Sequence, residues 1–144
     1  MEDTMNATGF RRIALSFPET AESAHMNHPD FRVAGKVFAT LNYPDKRWAM
    51  VRLTPEEQDN VLREHPAAFN PCSGTWGRQG CTNVLLSAVD KDTLEHALMV
   101  AWRNRAPKKV VQQFEDSQTA QRKRSTKQKA LSKHNFAPAI FRQS

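Results

Sequence analysis

The segment from Phe31 to Leu53 constrains the fold most, because three strand-like runs follow one another there with only tight turns between them. Phe31-Arg32-Val33 reads as a short strand, Ala34-Gly35 as a turn, and Lys36 to Tyr43 as a second strand. Pro44-Asp45 sets another turn, and Arg47 to Leu53 reads as a third strand. Within the middle strand Val37, Ala39 and Leu41 share one face, while Phe38 and Thr40 share the other. Both faces are fairly apolar, which places this strand near the centre of an antiparallel sheet.

Helices flank this meander. Phe10, Ile13, Ala14 and Phe17 recur at the spacing of an amphipathic helix, and Pro18 stops it near Ser16 or Phe17. Residues 19–30 read as a connection with room for a short strand. Thr54-Pro55-Glu56-Glu57 is a helix start, with Thr54 as cap, Pro55 in the first turn and Glu57 closing a capping box. That helix should reach about His65. Residues 67–80 read mostly as loop, and Cys81 to Ser87 as a fourth strand. Asp90 caps a second long helix with Leu94, Ala97, Leu98 and Ala101 on one face, and Pro107 interrupts it. Val110, Val111 and Phe114 suggest a further packed turn or two. The predicted order is α-β-β-β-α-β-α, an α+β class in which helices pack on a mainly antiparallel sheet.

Charge divides the chain. All 15 acidic residues lie within 1–116 together with 14 of the 21 basic ones, a balance of −1, whereas 117–144 carry seven basic residues and no acid, a balance of +7. We therefore expect a folded domain over 1–116 and a basic tail over 117–144. The tail lacks a periodic apolar face and should be disordered when alone. No run approaches a membrane span, and Met1-Glu2-Asp3-Thr4 has neither the basic nor the apolar part of a signal peptide, so a cytoplasmic protein is expected, with no membrane partner. Cys72 and Cys81 could close a loop, but in a reducing compartment they are expected to be free thiols.

Several short motifs coincide in order: Phe10-Arg11-Arg12-Ile13-Ala14-Leu15-Ser16-Phe17-Pro18-Glu19, His28-Pro29-Asp30-Phe31-Arg32-Val33, Gly35-Lys36-Val37-Phe38-Ala39-Thr40-Leu41 and Thr54-Pro55-Glu56-Glu57-Gln58. They continue with Trp76-Gly77-Arg78-Gln79-Gly80-Cys81-Thr82, Ala101-Trp102-Arg103 and Ala106-Pro107-Lys108-Lys109. Over roughly residues 8–114 the chain resembles the MmcQ/YjbR family of small bacterial proteins. The resemblance implies a curved antiparallel sheet of frataxin-like fold, a double-wing mode of DNA binding and no settled enzymatic activity. Cys81 departs from it, standing where an aromatic residue is expected, and the tail lies outside it.

The candidate chemistry is mainly electrostatic. Trp76-Gly77-Arg78-Gln79-Gly80 could be a ligand loop, or a structural turn in which Trp76 plugs the core. It is no P-loop, since no Gly-Lys-Ser/Thr closes it and a strand follows. Arg78, between two glycines, could aim its donors at phosphate or carboxylate. Arg32, Lys36, Lys46 and Arg47 flank the two hairpin turns, where they could reach backbone phosphates or simply keep an edge solvated. Arg122, Lys123, Arg124, Lys127 and Lys129 form the densest basic run. Neutralising about seven phosphates with the tail would give a log–log salt slope of about −6 on duplex DNA. His25, His28 and Asp30, like Cys72 and Cys81, lack the tight spacing of a metal site. No catalytic, metal or cofactor site is expected. The expected function is non-enzymatic DNA binding through hairpin wings and tail. The alternatives are a small-ligand or enzyme-like pocket near Lys36, Trp48, Trp76 and Arg78, or a protein adaptor docking through Phe136 to Phe141.

Overall fold

A computed structural model describes residues 5–42 and 45–132, with side chains described as far as 120. In chain order the elements are α1 (Ala7–Leu15), β1 (Thr20–His25), β2 (His28–Val33), β3 (Lys36–Leu41), β4 (Trp48–Arg52) and α2 (Pro55–Glu64). They continue with β5 (Phe69–Pro71), α3 (Gly74–Arg78), β6 (Cys81–Leu85), α4 (Lys91–Arg105) and α5 (Lys108–Ser132). The α+β class stands, and the six strands form one antiparallel sheet in the order β1-β2-β3-β4-β6-β5. The middle strand of the meander is interior, as its two apolar faces require.

Four elements exceed the predicted order: β1, β5, α3 and α5. The connection over 19–30 is β1 and the start of β2, a hairpin closed by Met26 and Asn27 at φ 50° and 67°. Positive φ at both central residues is the two-residue turn that matches strand twist. Strand β1 escapes a periodicity reading because it is an edge with most side chains in solvent. The segment 67–80 holds β5 and the five-residue helix α3 rather than a plain loop.

A register shift between Phe31 and Arg32 corrects the face assignment within β3. Asp30 and Phe31 pair with Thr40 and Ala39, but Arg32 pairs with Val37, so Phe38 is the extra residue of a bulge. Val37 and Thr40 consequently look to one side, while Phe38, Ala39 and Leu41 are buried completely. Helices α1 and α4 cover that buried side, packing on β3 and on each other. Trp102 of α4 is wholly buried, stacks on Phe17 at 5.8 Å and donates Nε1–H to the Pro18 carbonyl at 3.0 Å.

The α2 capping box forms as read: the Thr54 hydroxyl accepts from the Glu57 amide at 3.2 Å, and the Glu57 carboxylate accepts from the Thr54 amide at 2.8 Å. Thr54→Ala should cost about 1 kcal/mol, measured as a lowered midpoint of urea unfolding with the slope unchanged. From this helix Gln58 clamps the α3–β6 corner, its Nε2 lying 3.0 Å from both the Gly77 and Cys81 carbonyls and 3.1 Å from the Thr82 hydroxyl.

The chain divides after Pro107 into two units. The first is the sheet with its helices. The second begins with α5, which continues to Ser132 through residues expected to lack structure when alone. Gln, Ala, Lys and Arg are good helix formers and no Gly or Pro interrupts 108–132, so local propensity favours helix there even without an apolar face. No helix among the described residues is long and apolar enough to cross a membrane.

A candidate ligand cleft on the open face of the sheet

Opposite α1 and α4, the sheet carries a cleft of about 630 Å³. Strand alternation builds its floor: Met50 and Arg52 come from β4, Cys81 and Asn83 from β6, and the bulged β3 adds Val37 and Thr40. His25, Met26 and His28 of the first hairpin form one end, and Cys72, Ser73 and Trp76 the other. Apolar lining with a few convergent polar groups is the ordinary composition of a small-molecule site. No carboxylate is among the described residues lining it, and Arg52 brings a permanent positive charge.

Trp76 is turned outward, not into the core as one sequence reading held. It is 58% exposed, and the Arg52 guanidinium carbon sits 5.2 Å from its ring centroid. The cause is Gly77. A Cβ on that residue would lie 1.8 Å from the Cys72 carbonyl oxygen, so the glycine side of α3 faces backbone and the adjacent Trp76 is directed away. A flat ring beside a cation makes a surface on which a planar group can stack.

Thr40 is 1% exposed, and its hydroxyl has no hydrogen-bond partner among the described residues. A buried hydroxyl without a partner is costly unless something else satisfies it, and this one borders the cleft. Nearby, the Cys72 and Cys81 sulfurs lie 3.1 Å apart, and Cys72 Sγ is also 3.3 Å from Asn83 Oδ1. Both cysteines are free thiols. The Cys72 thiol donates to Cys81 and holds its acidity up against burial, while Arg52 adds a further pull in the same direction. Cys72, donating to Cys81 and partly buried, is pushed the other way. The pair thus gives up its first proton more readily than an ordinary thiol and its second far less readily.

At the hairpin end, Asp30 is completely buried and accepts from Arg32 Nε at 2.8 Å, from Arg32 through a second nitrogen at 3.0 Å, and pairs with His25 Nδ1 at 2.6 Å. Burial pushes its acidity down, but the bonds from Arg32 and His25 together outweigh this and hold the carboxyl below its ordinary range. The cluster fixes the wall of the cleft that His25 and His28 line.

The residues singled out from sequence are scattered. Arg32 is spent on Asp30, and Arg47 on Asp45 at 2.9 Å. Lys36 and Lys46 are exposed. Arg78 is exposed and donates to the Thr75 hydroxyl at 3.2 Å. None of the five borders the cleft, and neither does Trp48. Arg122, Lys123, Arg124, Lys127 and Lys129 fall on the backbone of α5, beyond the described side chains, and Phe136 to Phe141 lies outside the described residues. Arg52, Thr40 and Asn83 were missed. Arg52 had a legible signal, since it alternates with Trp48 and Met50 on one face of β4. Among the described residues no group of three or more His, Cys, Asp and Glu side chains could hold a metal ion.

A family model described as YjbR matches residues 15–104. Among solved structures, the Deinococcus radiodurans protein DR2400, which carries a DUF419 domain, is similar with a TM-score of 0.59 over 69% of this chain and 78% of that one. At 15% identity the likeness is one of fold. No curated protein matches the chain.

Proposed function

The chain belongs to the YjbR family, and from that premise we propose that it is a binding protein whose cleft takes a compact anionic ligand with a flat or apolar body. The observation that carries this reading is the Arg52–Trp76 pair over a cleft lined without carboxylates among the described residues. Arg52 supplies charge, Trp76 supplies a stacking face, and the Thr40 hydroxyl supplies a buried donor that such a ligand would satisfy.

The test is a thermal-shift survey of aromatic carboxylates and phosphates beside their neutral analogues, followed by titration of the hits. Arg52→Met should weaken binding of an anionic hit roughly tenfold or more, because a charge-assisted hydrogen bond is lost. Trp76→Ala should weaken it by a comparable factor, and the neutral analogues should not bind. Equal binding of charged and neutral compounds, or affinity indifferent to both substitutions, refutes the reading.

A second reading, DNA binding, is favoured by the balance of +7 over 117–144. There, Arg122, Lys123, Arg124, Lys127 and Lys129 contact phosphates without reading sequence, and exposed Lys36 and Lys46 orient the domain. Arg32 and Arg47 contribute little to this, being neutralised by Asp30 and Asp45. Affinity for duplex DNA measured against salt, for the full chain and for a chain with these five basic residues changed to glutamine, decides it. Salt-insensitive or absent binding by the full chain removes the reading.

A further inference from the structure

The two thiols in the cleft are arranged for chemistry of their own, whatever ligand the cleft takes. We propose that Cys72 and Cys81 form a redox-active dithiol that hydrogen peroxide converts, reversibly, into an intramolecular disulfide.

The placement follows from the sheet. Pro71 and Thr82 are cross-strand partners, so Cys72 and Cys81 are the next pair along, joined by the Cys72 amide donating to the Cys81 carbonyl at 3.0 Å. Directly opposed residues of an antiparallel pair have Cα atoms about 4.5–5.5 Å apart, within the span that a disulfide bridges. The sulfurs already sit 3.1 Å apart. Cys72 lies just beyond β5, an edge strand, so the remaining approach can be taken up without disturbing the central strands.

Reactivity has a defined polarity. The Cys72 S–H lies within reach of the Cys81 sulfur at 3.1 Å and of Asn83 Oδ1 at 3.3 Å, and the Arg52 guanidinium favours negative charge on either sulfur. With Cys72 as the donor of the pair, Cys81 carries the thiolate and is the nucleophile. Cys81 is 5% exposed, reached from the cleft that both sulfurs line, so a small oxidant is required. In the first step the Cys81 thiolate attacks one peroxide oxygen, an S–O bond forms, the O–O bond breaks, and the hydroxide released takes a proton to become water. Cys81 is then a sulfenic acid. In the second step Cys72 sulfur attacks Cys81 sulfur, its proton passes to the departing hydroxyl, and water leaves as the S–S bond forms. Two thiols are oxidised and one peroxide is reduced to two waters. A dithiol reductant reverses the change by two exchange steps.

The experiment treats the full reduced chain with stoichiometric hydrogen peroxide and follows free thiols by maleimide labelling and intact mass. Both thiols should disappear together, the chain should lose two hydrogens and stay a single chain, and dithiothreitol should restore both. Cys72→Ser should stop at a sulfenic acid on Cys81, trapped by dimedone, with Cys72→Ala as a second variant should the serine perturb folding. Cys81→Ser should leave Cys72 reacting at least tenfold more slowly than the wild-type pair. Arg52→Met should slow oxidation several-fold. Independent loss of the two thiols, a disulfide between two chains, over-oxidation of the wild type to sulfinic acid, or undiminished reaction in Cys81→Ser would each overturn the proposal.

Discussion

Gly80→Ala is expected to lower the unfolding free energy by about 3 kcal/mol or more. Two penalties coincide at this corner. Gly80 has φ +106°, a conformation that side-chain-bearing residues rarely adopt, and an added Cβ would lie 2.0 Å from the Leu53 carbonyl oxygen and 2.8 Å from the carbonyl carbons of Leu53 and Thr54. All three neighbours are backbone, and the Leu53 amide is itself bonded to the Gly80 carbonyl at 3.3 Å, so nothing flexible can yield. The end of β4, the start of α2 and the start of β6 would have to separate. Circular dichroism should show a fall in melting temperature of roughly 10–20 °C. Gly35→Ala is the matched control: Gly35 has φ +78° but nothing within 4 Å of the added carbon, so that variant should lose only about 1–2 kcal/mol. Equal losses at the two positions would show that the steric account of the Gly80 corner is wrong.

The second large effect is at Asp30. Asp30→Ala removes a completely buried carboxylate and leaves the Arg32 guanidinium and the His25 ring without the group that holds them. A buried pair broken on one side costs about 3–5 kcal/mol, but Arg32 and His25 remain partly open to water, which reduces the expected loss to about 2 kcal/mol. The pH dependence has a fixed sign. The folded carboxyl titrates below its ordinary value of 3.8, so its contribution is fully present above the unfolded value and is lost as pH falls through the folded one. The wild type should therefore lose stability below about pH 4 more steeply than Asp30→Asn. Asp45 and Asp90, also held low by Arg47 and by the Thr93 amide, leave some acid sensitivity in both proteins. Parallel urea midpoints from pH 6 to pH 2 make the comparison, and superimposable acid limbs would contradict it.

Much of the frame could be read along the chain because its signals are local. Thr54, Pro55 and Glu57 cap α2 through bonds made within one turn, and Asp90 caps α4 by accepting from the Thr93 amide at 2.8 Å. Strand β1 was less legible, since an edge with both faces in water carries no alternation. Strand β5 is three residues long, too short for any periodicity. Face assignments within β3 failed at two residues, Val37 and Phe38, because a bulge is settled by the partner strand's register and not by the bulged strand's own sequence.

The cleft was legible only in part. Trp76 and its glycines stand out in the sequence, which offers a pocket near Lys36, Trp48, Trp76 and Arg78 as one reading, whereas the arginine against the Trp76 ring is Arg52 and Arg78 bonds to Thr75. An arginine between glycines is conspicuous in sequence, whereas an arginine at the end of a strand looks like an ordinary edge charge. What decides between them is which side chain the folded sheet presents to the ring of Trp76.

Sequence by itself determined the meander over 31–53, the helix boundaries at Thr54 and Asp90, and the family, because turn residues, caps and motifs act over a few positions. Tertiary structure alone decided that Trp76 faces outward, that Arg52 lies against it, and that Cys72 and Cys81 touch. Each of these depends on β6 pairing with β4 on one side and β5 on the other, and cross-strand neighbours are set by register, which no local pattern in either strand encodes.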